Sequence, residues 1–264
     1  MPSVEVQSRE LFYERHGAGP PVLMIVGMGG YRKHWGENFL DLIAAEREAI
    51  IYDHRGTGRS EDVGEPFYIR DLADDAVGLL AALEIAEADV IAISMGGMVA
   101  QQLALTYPHR IRKLVVGCTY CGATGDNLTP PEVWQPLVDA LSEVDTAEAQ
   151  RDWWQAQVSA AFATKDTPWQ RFEQLATDEC PDLEVIFQQL KACTGFDVCD
   201  ELGQIDIPTL VIHGEGDQIL PIAQGALIAD RIPGAELMRL RDCGHMWWWE
   251  HPEQTAGRIN QFLG

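Results

Sequence analysis

The sequence predicts an α/β protein: a mostly parallel central sheet of about eight strands flanked by helices, with a helical lid inserted after the sixth strand. Two observations predict it. Short, continuous apolar runs alternate with segments of helical periodicity, as expected for strands buried on both faces. The alternation then lapses over residues 122–205, where helical patterns follow one another, and resumes afterwards. The chain therefore divides into a first core part (1–121), a helical lid (122–205) and a second core part (206–264).

SVEVQ, ELFYERHG and PVLMIVG read as three strands, with Gly-Ala-Gly-Pro-Pro turning the chain between the last two. ENFLDLIAAE reads as a helix and EAIIYD as a short buried strand. YIRDLADDAVGLLAAL has apolar residues at helical spacing, and its acids lie in the first half, where the helix dipole favours them. ADVIAI is the fifth strand, MGGMVAQQLALTYP a helix stopped near Pro108, and RKLVVGC the sixth strand. Four helical stretches follow: PEVWQPLVDALSEV, TAEAQRDWWQAQVSAAFATK, WQRFEQLAT and PDLEVIFQQLKAC. IPTLVIHGEGD and AELMRL complete the strands, with IAQGALIADRI between them and EQTAGRINQFL as the last helix.

At 264 residues and 46% hydrophobic, the chain can bury a large core. Its 41 acidic and 19 basic residues give a net charge of −22, which repels nucleic acid and anionic membranes. No apolar run approaches the ~18 residues of a membrane span. The start, MPSVEVQSRELFYERHG, lacks the basic and apolar regions of a secretory leader, so a cytoplasmic location is expected. The six cysteines are accordingly expected to be reduced. Cys118 and Cys121 form a CxxC, but a loop follows where a redox motif needs a helix. No second pair stands at zinc-ligand spacing and there is no HExxH, so no metal and no cofactor is expected. The expected partner is a small-molecule substrate; a homodimer stays open.

In AISMGGMVAQQ, Ser94 lies between strand and helix, with Ala92, Gly96 and Gly97 around it. Such a small-x-Ser-x-Gly pattern suits a sharp turn that raises a nucleophile clear of the sheet, because side chains two positions away would collide there. The competing reading is an ordinary serine helix cap. A serine nucleophile needs a base, and the base needs a carboxylate. Asp217 follows the seventh strand and His245 the eighth, both at strand C-termini, where open α/β sheets place their sites. Glu215 and Asp242 compete for the acid role and His251 for the base role; His213 reads as a buried strand residue. An oxyanion hole needs two backbone N–H groups. Met95, next to the nucleophile, supplies one; Met28, in the Gly-rich loop VGMGG, is assigned the other.

With these residues in place, the chain resembles the α/β-hydrolase fold superfamily, in particular small esterases and lactonases such as the 3-oxoadipate enol-lactonases. The resemblance covers essentially the whole chain. It is carried by VGMGG, YDHRGTGRS, AISMGGMVAQQLALTYPHRIRKLVV, HGEGD with Pro221, and GHMWWWEHPE. It implies Ser94 as nucleophile, Asp217 as acid, His245 as base, and the Met28 and Met95 amides as oxyanion hole. Two positions depart from the family pattern: Val26-Gly27 stands where His-Gly is usual, and Ala92 where the elbow usually begins with glycine. Asp53, Arg55 and Ser60 of DHRGTGRS read as structural, since a buried polar loop must satisfy its own hydrogen bonds. The Asp-nucleophile branches do not fit, because Ser94 holds their nucleophile position.

The lid region is rich in large apolar side chains. Trp134, Trp153, Trp154 and, after the base, Trp247 are the candidates for an aromatic substrate pocket. Trp153 and Trp154 are adjacent, so they cannot share one helix face. Residues 122–205 carry 16 acids against Arg151, Lys165, Arg171 and Lys191, a balance that disfavours an anionic substrate. The expected activity is hydrolysis of a neutral ester or lactone through an acyl-enzyme. The alternatives are a non-turnover receptor, a carbon–carbon bond hydrolase, or a perhydrolase on the same triad.

Overall fold

The computed structural model describes residues 2–61, 64–122, 147–179 and 181–264. Among the described residues eight strands are formed: β1 (Ser3–Val6), β2 (Arg9–His16), β3 (Pro21–Ile25), β4 (Glu48–Tyr52), β5 (Ala88–Ile93), β6 (Ile111–Gly117), β7 (Thr209–Gly214) and β8 (Glu236–Leu240). They make one sheet in the order β1-β2-β4-β3-β5-β6-β7-β8. The β1–β2 and β2–β4 pairs are antiparallel, and every pair from β4–β3 to β7–β8 is parallel.

Strand periodicity splits the apolar residues between two cores. Along β5, Val90 and Ala92 join one, Ile91 and Ile93 the other. The first core includes Leu72 and Leu79 of α2 (Ile69–Ala82), Val99 and Leu103 of α3 (Met95–Thr106), and Ile228 of a later helix, Ile222–Arg231. The second holds Phe39 and Ile43 of α1 (Glu37–Ala44), with Ile259 and Leu263 of the last helix, Pro252–Leu263. Being parallel, β5, β7 and β8 end on one edge, and the loops after them carry Ser94, Asp217 and His245.

Polar groups of the loop after β4 find partners within it and in the elements around it, while His54 Nδ1 has none among the described residues. The Asp53 carboxylate accepts the N–H groups of Arg32 (2.8 Å) and Arg59 (3.0 Å), and pairs with the Arg32 guanidinium at 2.7 Å. Ser60 Oγ donates to Asp53 O at 2.7 Å and accepts from Phe12 N at 2.9 Å, while Arg55 pairs with Asp75 at 2.7 Å.

Between β6 and β7 the described chain is helical: α4 (Ala147–Gln157), α5 (Ala160–Ala163), α6 (Asp166–Asp178) and α7 (Leu183–Thr194). The helices after β7 are α8 (Ile222–Arg231), α9 (Trp247–Glu250) and α10 (Pro252–Leu263). Among the described residues, no helix is long and apolar enough to cross a membrane.

Two features fasten α4–α7 to the core. The first corrects the expectation of uniformly reduced cysteines: Cys121, just past β6, is disulfide-bonded to Cys199, close to where the chain re-enters the core. The pairing partner lies 78 residues away, not at Cys118, because the chain leaves and re-enters the core at the same place. Cys118, Cys193 and Cys243 are free and buried; Cys180 lies outside the described residues. The second feature is an ion-pair cluster. Arg32, only 1% exposed, pairs with Asp53 and Glu14 at 2.7 Å and with Glu179, just past α6, at 2.6 Å. Glu179 also meets Lys33 and Arg59 at 3.3 and 3.0 Å. Burial opposes ionisation of Glu179, but the hydrogen bonds and charges of Arg32 and Lys33 outweigh it and hold its pKa down at about 2.

Non-reducing peptide mapping is expected to recover Cys121 and Cys199 in one cross-linked species; recovery as separate free thiols would refute the pairing. Replacing both by serine should lower stability by about 2–4 kcal/mol in urea. For Glu179 the depressed folded pKa fixes the sign of the pH dependence: its contribution is complete above 4.5 and fades as pH falls toward about 2. The Tm advantage of wild type over Glu179→Gln should therefore shrink across that window, whereas parallel curves would refute the latch.

Candidate active site

Ser94 follows β5 directly and has φ 54°, ψ −124°, a left-handed conformation that a side-chain-bearing residue adopts only when its surroundings impose it. The surroundings are visible. Ser94 N donates to Gly117 O at 2.9 Å, and Thr119 Oγ1 donates to Ser94 O at 2.7 Å. A Cβ on Gly96 would lie 2.2 Å from Ile25 O and 2.6 Å from Val26 O, so only glycine lets α3 pass the end of β3. This is the sharp strand-to-helix turn that the elbow reading expects, and Ala92 before it is fully buried. The serine-cap reading fails, since Ser94 makes no side-chain cap hydrogen bond.

Asp217 is buried in the turn after β7. Its Oδ1 accepts the N–H groups of Ile219 and Leu220, both at 2.9 Å, and its Oδ2 lies 2.8 Å from His245 Nδ1. A carboxylate can only accept, so Nδ1 donates this hydrogen bond and the ring is oriented with Nε2 on the side away from Asp217. Burial raises the Asp217 pKa, but the charges and hydrogen bonds of His245 and His213 overcome it and hold the carboxyl well below the usual range. The competitors are elsewhere: Glu215 and Asp242 are exposed, and His251 caps α10.

Ser94 and His245 border one cavity with Met28 and Met95. Among the described residues, Ser94 Oγ has no hydrogen-bond partner, and neither does the Met28 N–H. Met95 opens α3, where the first N–H groups have no intrahelical acceptor. The neighbouring Gly29 N–H is already taken by Gln189 Oε1 of α7 at 2.8 Å, so Met28 is the better-placed donor in that loop.

Of the aromatic candidates, Trp153 lines the cavity. Trp154 does not: it is fully buried between Phe162, Phe172 and Trp249, with ring centroids 5.0–5.9 Å away. One helical step turns it from the cavity into the seam between lid and core. Trp247 is likewise excluded. The chain winds into α9 immediately after the base, which drives Trp247 under the site against Gly117 and Phe39 and presents Trp248 to the cavity. Trp134 lies outside the described residues.

Sequence reasoning gave no role to two histidines. His213 is fully buried, with Nε2 2.7 Å from Leu220 O and 3.3 Å from Asp217 Oδ2. Its position four residues before the acid, across a tight turn, was the available signal. His34 lines the cavity; its Nδ1 accepts the Tyr31 N–H at 3.2 Å, and burial pushes its pKa down to about 4, so it is neutral at physiological pH. The thiol of Cys118 lies within 4.8 Å of the Asp217 and His245 ligand atoms, but burial raises its pKa, so it stands there as a neutral thiol.

Residues 20–252 match the family model described as alpha/beta hydrolase fold. The chain is 30% identical to a RutD protein of Azorhizobium caulinodans whose name provisionally assigns carbamate hydrolysis, covering 90% of this chain and 88% of that one. It is also 30% identical to the 2-hydroxymuconate semialdehyde hydrolase of Pseudomonas sp. strain CF600, covering 94% and 88%. Among solved structures, Est816, described as an N-acyl homoserine lactone degrading enzyme, superposes with a TM-score of 0.84 at 28% identity, covering 99% of this chain and 100% of that one.

Because a Cβ at position 96 meets backbone and not a movable side chain, Gly96→Ala should lower stability by about 1–3 kcal/mol. An unchanged urea midpoint would show that the turn is not held as described.

Proposed function

This chain belongs to the α/β-hydrolase fold family, and on that footing we propose that it is a serine hydrolase that cleaves a neutral, largely apolar carboxylic ester or lactone through an acyl-enzyme. One observation carries the reading: Ser94, the Asp217-bound His245 and the Met28 and Met95 amides meet at a single cavity. Ser94 attacks the acyl carbon while His245 Nε2 takes its proton, and the imidazolium that forms is stabilised by Asp217. Negative charge on the former carbonyl oxygen develops toward the Met28 and Met95 amides and the positive end of α3. Collapse of the intermediate expels the alcohol, which receives the proton from Nε2. Water, deprotonated by His245, then attacks the acyl carbon and frees Ser94. The Ser94–His245 hydrogen bond closes on substrate binding.

The neutral-substrate part rests on what borders the cavity. Among the described residues, no Lys or Arg lines it, and His34 is uncharged. Arg151 is spent on Ala163 O and the Trp169 ring, and Arg171 on Glu37 at the surface. Residues 123–146 contain no Lys, Arg or His. A carboxylate entering such a site would lose hydration without gaining a counter-charge.

A second reading has one specific support, the relative named 2-hydroxymuconate semialdehyde hydrolase. That compound has no ester bond, so its hydrolysis must break carbon–carbon. It is also a carboxylate, which the cation-free lining disfavours.

The test is a panel of neutral p-nitrophenyl esters of increasing acyl length and several lactones, each run beside a carboxylate-bearing analogue. Ser94→Ala should lower kcat by about 10⁴-fold or more. Neutral substrates should exceed their carboxylate analogues in kcat/KM by on the order of tenfold or more. Preference for the carboxylates would overturn the substrate class. Binding without turnover by wild type would favour a receptor.

A further inference from the structure

GHMWWWEHPE extends past the base, and Glu250 within it has no part in the proton relay. Its side chain turns back toward His245. Glu250 Oε1 accepts the N–H of Gly244, the residue before the base, at 2.7 Å, and the N–H of Ser159, between α4 and α5, at 3.1 Å. Glu250 Oε2 accepts a short hydrogen bond from the Ser159 hydroxyl. The Met246 N–H, on the other side of the base, donates to Gln157 O at 3.0 Å. Gly244 lies so close to this segment that a Cβ there would come within 2.7 Å of the Val158 carbonyl carbon. Both peptide neighbours of His245 are thus held by residues 157–159 or by the carboxylate that grips them. Among the described residues, Glu250 makes no ion pair; besides these N–H and O–H groups it faces the buried Cys243 thiol.

We infer that Glu250 is a positioning residue that couples docking of the lid segment 157–159 to the placement of His245 for proton transfer. The inference rests on the serine-hydrolase reading. Oxygen atoms of one carboxylate serve both partners, so loss of the lid-side bonds frees Glu250 to rotate and loosens Gly244. Placement errors on the scale of an ångström are enough to slow proton transfer by on the order of 10- to 100-fold.

The experiment measures the second-order rate of Ser94 modification by diisopropyl fluorophosphate. In that step the Oγ–P bond forms, the P–F bond breaks, the hydroxyl proton passes to His245, and fluoride leaves. The rate reports on base placement in the folded fraction and requires no knowledge of the natural substrate. Three variants are compared with wild type: Glu250→Gln, Ser159→Ala and the double mutant, each with its Tm. Glu250→Gln is expected to slow labelling on the order of tenfold. Ser159→Ala, which leaves the Gly244 bond in place, should slow it less, and the double mutant should be no slower than Glu250→Gln, because both changes break one linkage. Wild-type labelling rates in both single variants, whether or not Tm falls, would overturn the proposal, as would fully additive effects. If wild type itself is not labelled at Ser94, the serine-hydrolase reading fails and this inference with it.

Discussion

The closeness of β3, β5 and α3 at Ser94 is the constraint on which the rest depends. A left-handed serine is unfavourable by itself. It persists here because β5 ends in the sheet through the Ser94 N–H to Gly117 O bond and α3 must leave past Ile25 and Val26. The same crowding that strains the turn also aims the side chain at the cavity and presents the first N–H groups of α3 beside it. On the serine-hydrolase reading proposed above, nucleophile and oxyanion donor are therefore products of one backbone geometry, fixed before any substrate arrives.

The parallel sheet does the remaining work of assembly. Asp217 and His245 are 28 residues apart in sequence, yet β7 and β8 are neighbours with Gly214 opposite Leu240, so their following loops begin side by side. That is why chain order plus strand ends was enough to bring Ser94, Asp217 and His245 together as candidates. The helical spacing along α2 was likewise legible, whereas ADVIAI is a continuous apolar run whose sorting between two cores only the folded sheet shows. What was not legible required distances between remote segments. The Cys121–Cys199 bond depends on where the lid re-enters the core, and no local pattern reports that. In WWW the three side chains are chemically identical, so only the start of α9 decides that Trp247 is buried and Trp248 faces the cavity. Arg32 gave no signal either, because its partners Glu14, Asp53 and Glu179 come from three separate parts of the chain.

The net charge of −22 is consistent with the uncharged cavity once its location is considered. Several acidic residues are engaged in ion pairs away from the cavity, among them Glu179 at the lid seam, Asp75 beside the β4 loop, Asp89 in β5 and Glu236 in β8, and the Asp217 carboxylate is buried against His245. The cavity lining is mostly Met, Ile, Leu, Phe and Trp side chains, joined by the polar side chains of His34, Ser94, Gln150, Gln157 and His245. On the serine-hydrolase reading, the amide dipoles at Met28 and Met95 would be worth more in such a largely apolar site than in water, favouring a transition state with localised charge at one oxygen.

The lid's contacts with the core extend beyond its neck. Gln189 of α7 holds the Gly29 N–H, and Leu175 O of α6 accepts the Tyr31 hydroxyl at 3.1 Å, so two lid helices fix the loop that bears Met28. Residues 157–159 fix the loop that bears His245. The lid thus contacts both halves of the reacting apparatus on separate elements, while also supplying Trp153 and Leu175 to the substrate cavity. In this architecture, substrate fit and catalytic geometry are not independent variables. A substrate that displaces α6 or α7 disturbs the oxyanion loop, and one that displaces the end of α4 disturbs the base. A lid that only covered the site could change shape freely with the substrate; on the serine-hydrolase reading proposed above, this one has to seat correctly for both oxyanion donor and base to be in position, which would express selectivity in the chemical step as well as in binding.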